Sequence, residues 1–385
     1  MAQRQFRSDD TDSWTYGFGD GSNGAYTPST GTDAPIDGAV TGTATETHCH
    51  ATNVNFAAGQ IILIHQTQGT GVGNWELNKI DSYTAGTINT KKALINTYGT
   101  GAQVLVLKQY SSVLIDTGVT LTAKAWDGTV GGIVGWFCNG TVTVTGSITT
   151  TGKGFTGGSN HNSGNGYTGE GSSGASKLDT NAYGSGGGGG QERASGGNGG
   201  GGGGHFATGT TGDVNTGGDG GTAGSGGEAS GHAHLTSCTF GGGGGKGGAE
   251  GSDNSPAGGI GGVGGGIVFI AAKTITVTGS ILANGSAGAN SASEGNGAGG
   301  GGGGAGGSLL LKGQTLTLGT NICTATGGSG GSKYDTSGNG GAGSTGRIHA
   351  DYSISVGTSD TNPELDSDLD TTIFGVGGPR VILFT

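Results

Sequence analysis

Three stretches of the chain repeat one pattern of apolar and polar positions. GTVTVTGSITTTGKGFTGG (140–158), KTITVTGSILANGSAGA (273–289) and QTLTLGTNICTATGGSGG (314–331) alternate polar with apolar residues, at Val142/Val144, Ile275/Val277 and Leu316/Leu318. Each then sets an apolar residue after a Gly or Asn turn, Ile148, Ile281 and Ile322, and decays into Gly and small residues. A short apolar segment precedes each repeat: GGIVGWFC (131–138), GGGIVFIA (264–271) and GGSLLLK (306–312). GRIHADYSISV (346–356) begins another such unit, and VLIDTGVTLTAKAW (113–126) is a weaker early copy. Alternation with a period of two, bounded by turn residues, predicts β-strands. Short strands that share a pattern predict the coils of a β-solenoid, each stacking its apolar face on the next.

The spacing of the repeats is uneven. Thr274 to Thr315 is 41 residues, but Thr141 to Thr274 is 133. The expectation is therefore a solenoid with long glycine-rich excursions, the largest over 154–265. Glycine supplies 97 of the 385 residues and proline only 5, which excludes collagen, whose triplets need abundant Pro. Within 197–227 the glycines have a period. Nine of the eleven positions at every third residue from Gly197 are Gly, against seven of the other twenty. Three residues per turn is the repeat of polyproline II, and a flexible Gly/Ser linker needs no period. Such strands have no internal hydrogen bonds, but packed side by side they can satisfy one another, and glycine alone allows that approach.

Isolated polar and aromatic residues sit between the glycines, among them His161, Glu170, Lys246 and Tyr334, and are expected at displayed turns. Tyr167, Tyr183, Glu192, Arg193, His205 and Phe206 are the expected receptor-binding side chains. In GSGGGGGQERASGGNGGGGGGHF (184–206) the glycines would be scaffold and QERA the displayed surface.

Charge and cysteines narrow the classes. The net charge is −11 with no cluster of Lys and Arg, so nucleic acid is not an expected partner. MAQRQFRSDDTDSW lacks the apolar core of a Sec signal, and no apolar run reaches the ~20 residues that a membrane-spanning helix needs. Cys49, Cys138, Cys238 and Cys323 lie far apart without a C-x-x-C pair, and buried thiols are the expectation.

Candidate chemistry is sparse. GGGGGKGGAE (241–250) has a Lys after glycines but no following Ser or Thr and no helix, so it is not a phosphate loop. His48-Cys49-His50 and His232/His234 would each set two imidazoles on one side of an extended chain, but neither has a partner cluster in sequence. GDGSNG (19–24) and ELDSDLD (364–370) are rich in oxygen ligands without matching an EF-hand, and read as turns and a solvated acidic loop. No metal or other cofactor is expected. A lyase or hydrolase would need paired carboxylates at a fixed separation. The acidic residues are scattered instead, and no enzymatic activity is expected.

The strand pattern with glycine-rich returns resembles right-handed β-helix proteins on the surfaces of bacteria and phages, over roughly 105–356. GQIILIHQTQGTGVGNWELNKI (59–80) and NTYGTGAQVLVLKQYSSVLIDTGVTLTAKAWDG (96–128) resemble the leading part of such proteins. The glycine segments, mainly within 154–345, are similar in kind to the glycine-rich adhesins of T-even-type tail-fibre tips. The resemblance implies stacked polyproline-II strands with receptor-gripping loops between them.

The reading is an all-β protein, a right-handed parallel β-solenoid with polyproline-II excursions. An N-terminal β cap or attachment region would span 1–110, the solenoid 111–356 and a tail with a terminal strand 357–385. Its role would be that of a non-enzymatic virion surface protein, a tail-fibre adhesin or fibre, located on a virion or extracellular surface. The expected partners are a host surface protein or glycan and other virion or filament subunits, including copies of itself, with no membrane insertion. The alternatives are a filament or surface-layer subunit joined through terminal strands, and a β-helical polysaccharide lyase or hydrolase. Hydrogen exchange tests the ordering of the glycines: the 197–227 amides should exchange slowly, and free exchange there would make the segment a linker.

Overall fold

The computed structural model describes residues 18–51, 55–162, 164–251, 257–292, 297–357 and 360–370. The expected terminal strand within 371–385 lies outside them. Every regular element among these residues is a strand. The first eight are β1 (Ala25–Tyr26), β2 (Gly31–Asp33), β3 (Asp37–Thr41), β4 (His48–Ala51), β5 (Ile61–Gln66), β6 (Trp75–Thr84), β7 (Thr87–Thr90) and β8 (Ala102–Tyr110). The next six are β9 (Ser112–Ile115), β10 (Thr120–Ala123), β11 (Ile133–Val144), β12 (Ser147–Thr149), β13 (His161–Asn162) and β14 (Asn165–Gly166). The last are β15 (Ile267–Val277), β16 (Ser280–Leu282), β17 (Ser308–Thr317), β18 (Thr320–Thr324), β19 (Arg347–Val356), β20 (Asp360–Asn362) and β21 (Asp366–Leu369).

The expected right-handed solenoid is corrected in two ways. Strands β8, β3, β4, β7, β6 and β5 pair antiparallel in that order, and β5 pairs back to β8, which closes a six-stranded barrel. β8 also pairs parallel with β11, so the barrel continues into the sheet β11-β15-β17-β19-β21. A second parallel sheet, β2-β10-β12-β16-β18-β20, lies apart from the first. Between the two parallel sheets sits one core, with Trp136, Val142, Ile270, Ile275, Leu311 and Ile148 fully or almost fully buried. The Thr141, Thr274 and Thr315 positions of the sequence repeat do pair with one another. The third repeat slips by one residue, because Ile281 pairs with Cys323 and not with Ile322. Cys323 takes the interior position and is fully buried.

The barrel strands β5 and β8 serve two cores. Ile62, Ile64, Val104 and Val106 point into the barrel, while Ile61, Leu63, Leu105 and Leu107 pack outward against Phe137 and Phe269 of the parallel sheet. Alternate side chains leave a strand on opposite faces, so a strand between two cores loses its polar positions.

The glycine segments are not projecting excursions. They pack into one hydrogen-bonded bundle that forms the remaining side of the molecule. Three consecutive residues show the arrangement. Gly302, Gly303 and Gly304 donate to Gly245, Gly341 and Ser286 at 2.8, 2.9 and 2.9 Å. Their carbonyls accept from Gly262, Gly203 and Gly328 at 2.7, 2.9 and 2.8 Å. One run therefore has six neighbours, two for each residue of its turn. The partners advance by three residues, as in Gly197, Gly200 and Gly203 donating to Gly297, Gly300 and Gly303. That is the screw of a helix with three residues per turn and no internal bonds. Runs of both directions mix, since Gly241, Gly244 and Gly247 donate to Gly265, Gly262 and Gly259.

Side chains cannot enter such a lattice. A Cβ on Gly302 would overlap the Gly201 carbonyl oxygen, and one on Gly245 would overlap that of Gly188. Gly302→Ala should therefore cost about 3 kcal/mol or more, the range of severe overpacking. Gly99→Ala, where a Cβ meets nothing within 4 Å, should leave the melting temperature nearly unchanged. Thermal unfolding of the two variants checks this.

Candidate functional site

The bundle has two ends. At one, the runs over 257–266, 298–307 and 338–346 pass straight into β15, β17 and β19. At the other, the chain turns back through 191–196, 213–222 and 332–337. These distal turns are tied into one surface. Thr216 N donates to Thr336 O at 2.7 Å, Thr336 Oγ1 to Ser195 O at 2.7 Å, and Asn339 Nδ2 to Asp213 Oδ2 at 2.8 Å. Ser195 Oγ also bonds Asp219. Val214 and Tyr334 stand out from this end, 45% and 41% exposed. Among the described residues of these turns, with Glu250 joined to Arg193 by a β-bridge, carboxylates outnumber cations: Glu192, Asp213, Asp219, Glu250 and Asp335 against Arg193 and Lys333.

The six sequence-derived binding residues divide between the ends. Glu192 and Arg193 lie at the distal turns, with half-buried Tyr167 one step inside, where its carbonyl accepts from Lys246 N. Arg193 is spent on the fold: its guanidinium donates to Gln191 Oε1 at 2.7 Å, Glu192 O at 3.1 Å and Gly220 O at 3.2 Å. The QERA segment is thus partly folded back onto the bundle. Tyr183 sits near the sheets beneath the Lys177 ammonium, 4.1 Å from its ring centroid. Phe206 is 55% exposed, with the Arg347 guanidinium 4.9 Å from its ring centroid.

His205 is not displayed. It is fully buried, with Nε2 3.4 Å from Ser308 Oγ. Burial, with Arg347 nearby, pushes its pKa down to about 3. Glu170, another residue expected at a displayed turn, is a buried junction. Its carboxylate accepts from Trp126 Nε1 at 2.9 Å, Gln68 Nε2 at 2.8 Å, and Thr156 N and Oγ1 at 2.9 Å. Lys246 is buried as well. All four cysteines are free and buried, and burial raises Cys49, Cys238 and Cys323 to about 12, far from reactive thiolates.

A second constellation was invisible in sequence. On the face of the parallel sheet that meets the barrel, pairing aligns Phe269, Leu310, His349 and Asp366 in one rung, and Ala271, Lys312, Asp351 and Asp368 in the next. His349 is buried, with Nδ1 2.9 Å from Asp366 Oδ2 and Nε2 3.4 Å from Asp351 Oδ1. Lys312 Nζ holds Asp370 at 2.8 Å and Asp351 at 3.6 Å. His234 joins from the loop before Leu235, its Nδ1 3.0 Å from Asp366 Oδ2 and 3.2 Å from Asp368 Oδ2. Leu235 fixes that loop, being fully buried in the aromatic core while its carbonyl accepts from Trp75 Nε1 at 3.0 Å. Burial alone would lower the His349 pKa, but Asp351 and Asp366 reverse this and raise it. With a carboxylate on each nitrogen, His349 is poised as a held cation and not as a free base. His234 and the acidic stretch 364–370 both stood out in the sequence. Only strand register brings them together.

No protein-family model and no curated protein matches the chain. A weak structural neighbour is a phage tailspike, in the crystal structure of the tailspike protein gp49 from Pseudomonas phage LKA1. The two are 9% identical, with a TM-score of 0.19, and the match covers 87% of this chain and 59% of that one. A score of that size does not establish a shared fold.

The depressed His205 pKa has a consequence for stability. Below the ordinary imidazole value near 6.5, the unfolded chain takes a proton that folded His205 refuses until about pH 3. Stability is therefore lost as pH falls. Between pH 6 and 4 the wild type should lose about 1.4 kcal/mol per pH unit more than His205→Gln. Urea unfolding across that range measures the difference, and equal slopes would contradict a buried neutral His205.

Proposed function

We propose that the chain is a non-enzymatic surface-binding element of a virion appendage, whose distal turns contact a protein or glycan on a host cell. The observation that carries this reading is the construction of the distal end. A bundle held by backbone bonds across six neighbours supports turns bonded to one another, and these expose Val214 and Tyr334. Loops on a rigid scaffold are the usual bearers of recognition, and an exposed aromatic supplies contact area at low entropic cost. The acidic rim favours a partner with basic or hydroxyl groups at its contact surface. The two exposed ends thereby take different roles. Tyr183 and Phe206, near the sheets, are engaged by Lys177 and Arg347 and belong to the scaffold.

Binding of the purified protein to intact bacterial cells tests the proposal. Retention should fall about tenfold or more in Tyr334→Ser and Val214→Asp, with unchanged melting temperatures. Tyr183→Ala and Phe206→Ala should be retained like the wild type. Retention that the distal variants leave intact, or that only the sheet-side variants abolish, would overturn the assignment.

A further inference from the structure

We propose that His234, His349, Asp366 and Asp368 form a binding site for a divalent metal ion of the zinc class, which clips the 230–239 loop to the last strands of the parallel sheet. The donor set is the first argument. Two imidazoles and one carboxylate converge, with the His234, His349 and Asp366 ligand atoms within 4.8 Å of one another, and Asp368 Oδ2 approaches His234 Nδ1 at 3.2 Å as the fourth donor. A tetrahedral ion with ligands near 2.0 Å needs ligand atoms about 3.3 Å apart. His234 Nδ1 to Asp366 Oδ2 is 3.0 Å, His349 Nδ1 to Asp366 Oδ2 is 2.9 Å, and His234 Nδ1 to Asp368 Oδ2 is 3.2 Å. Three of the six edges of a tetrahedron are thus already close to that length.

The outer shell is the second argument. A metal-bound histidine characteristically turns its other nitrogen to a carboxylate, which fixes the ring and its tautomer. Here the far nitrogen of His349 faces Asp351 at 3.4 Å, and Asp351 is itself paired with Lys312. His349 would thus be oriented before any ion arrives. Two imidazoles in the set favour zinc, cobalt or nickel over calcium, which prefers oxygen ligands alone. The ion would displace the proton that His349 holds between its carboxylates, and two carboxylates with two neutral imidazoles then balance a divalent cation.

The alternative set of His349, Asp351 and Asp368 has one imidazole, and its Asp351 is already paired with Lys312. The set containing His234 is therefore the one assigned. Its position gives it a structural role. His234 belongs to the loop anchored by Leu235, whereas Asp366 and Asp368 lie on β21, the last strand of the sheet among the described residues. An ion shared between them would cross-link two segments that are more than 130 residues apart.

Cobalt titration of the full chain, followed by visible absorption, tests the site. The background should carry His48→Ala and His50→Ala, which removes the other exposed imidazole pair. One Co²⁺ per chain should bind with the strong visible bands of tetrahedral coordination, Zn²⁺ should displace it, and Zn²⁺ should raise the melting temperature. His234→Ala should weaken binding about 100-fold, and Asp351→Asn, outside the ligand set, by about 10- to 100-fold. His234 is roughly half exposed, so its variant should fold even where Asp366→Asn does not, and circular dichroism verifies this. Absence of stoichiometric binding in this background, or unchanged affinity in His234→Ala, would overturn the proposal. Failure of cell binding in the distal-turn variants bears on a different end of the molecule and leaves this test unaffected.

Discussion

The lateral N–H···O=C bond between glycine backbones is the interaction on which this structure depends. In most domains apolar burial offsets the cost of ordering the chain, and backbone bonds follow inside helices and sheets. Here the glycine-rich segments within 154–345 have few side chains to bury. Every N–H in a central run such as 299–307 nevertheless donates, and the carbonyls of 299–305 all accept, because six neighbours stand at hydrogen-bond distance. Buried peptide groups must be paired, and the packed runs pair theirs laterally, without a helix or a sheet. Glycine is required for geometric reasons, since a Cβ would overlap the neighbouring carbonyl at position after position.

That arrangement carries a cost in entropy, because glycine loses more freedom on ordering than any other residue. The parallel sheets supply the missing registration. The runs entering β15, β17 and β19 are set in step by the strands that follow them. Ile267 pairs with Ser308 and Ser308 with Arg347, offsets of 41 and 39 residues. Gly300 and Gly303 donate to Gly338 and Gly341, an offset of 38. The apolar core between the sheets thus fixes the register of backbone strands that have no side chains to specify their own. The junction is sealed by Trp126, Phe155 and Phe240, mutually stacked edge to face, and by the fully bonded carboxylate of Glu170.

Part of this was legible from the residues. Alternation located the parallel strands, and Thr141, Thr274 and Thr315 align in space as in sequence. The extra residue before Cys323 was not, because Ile322 is the more apolar of the two and took the interior position in a sequence alignment. The barrel was hidden for a different reason. Its strand Ile61–Gln66 is buried on both faces, so it shows no alternation, and closure depends on pairings between β8 and strands far earlier in the chain. His205 and Glu170 misled in a third way. An isolated polar residue among glycines looks displayed, and burial becomes visible only with Ser308 or Trp126 beside it. Val214 and Tyr334 sit at the distal surface, but only Tyr334 carries a signal in sequence, as an aromatic among glycines.

The histidine–carboxylate cluster follows from the same geometry that makes the core. Along one rung of the sheet the side chains run from Phe269 through Leu310 to His349 and Asp366. The barrel covers the early strands, where Leu105, Leu107 and Trp75 bury Phe137 and Phe269. It does not extend over β19 and β21, and there the face turns from aromatic to charged. Among the described residues β21 is the last strand of the sheet, and an apolar edge left uncovered would recruit further strands. Asp366 and Asp368 protect that edge by charge, while His349 and Lys312 neutralise the carboxylates that face inward. The charged rung and the convergence of potential ligands are therefore one solution to one problem: beyond the reach of the barrel, β19 and β21 must be held without presenting an apolar face.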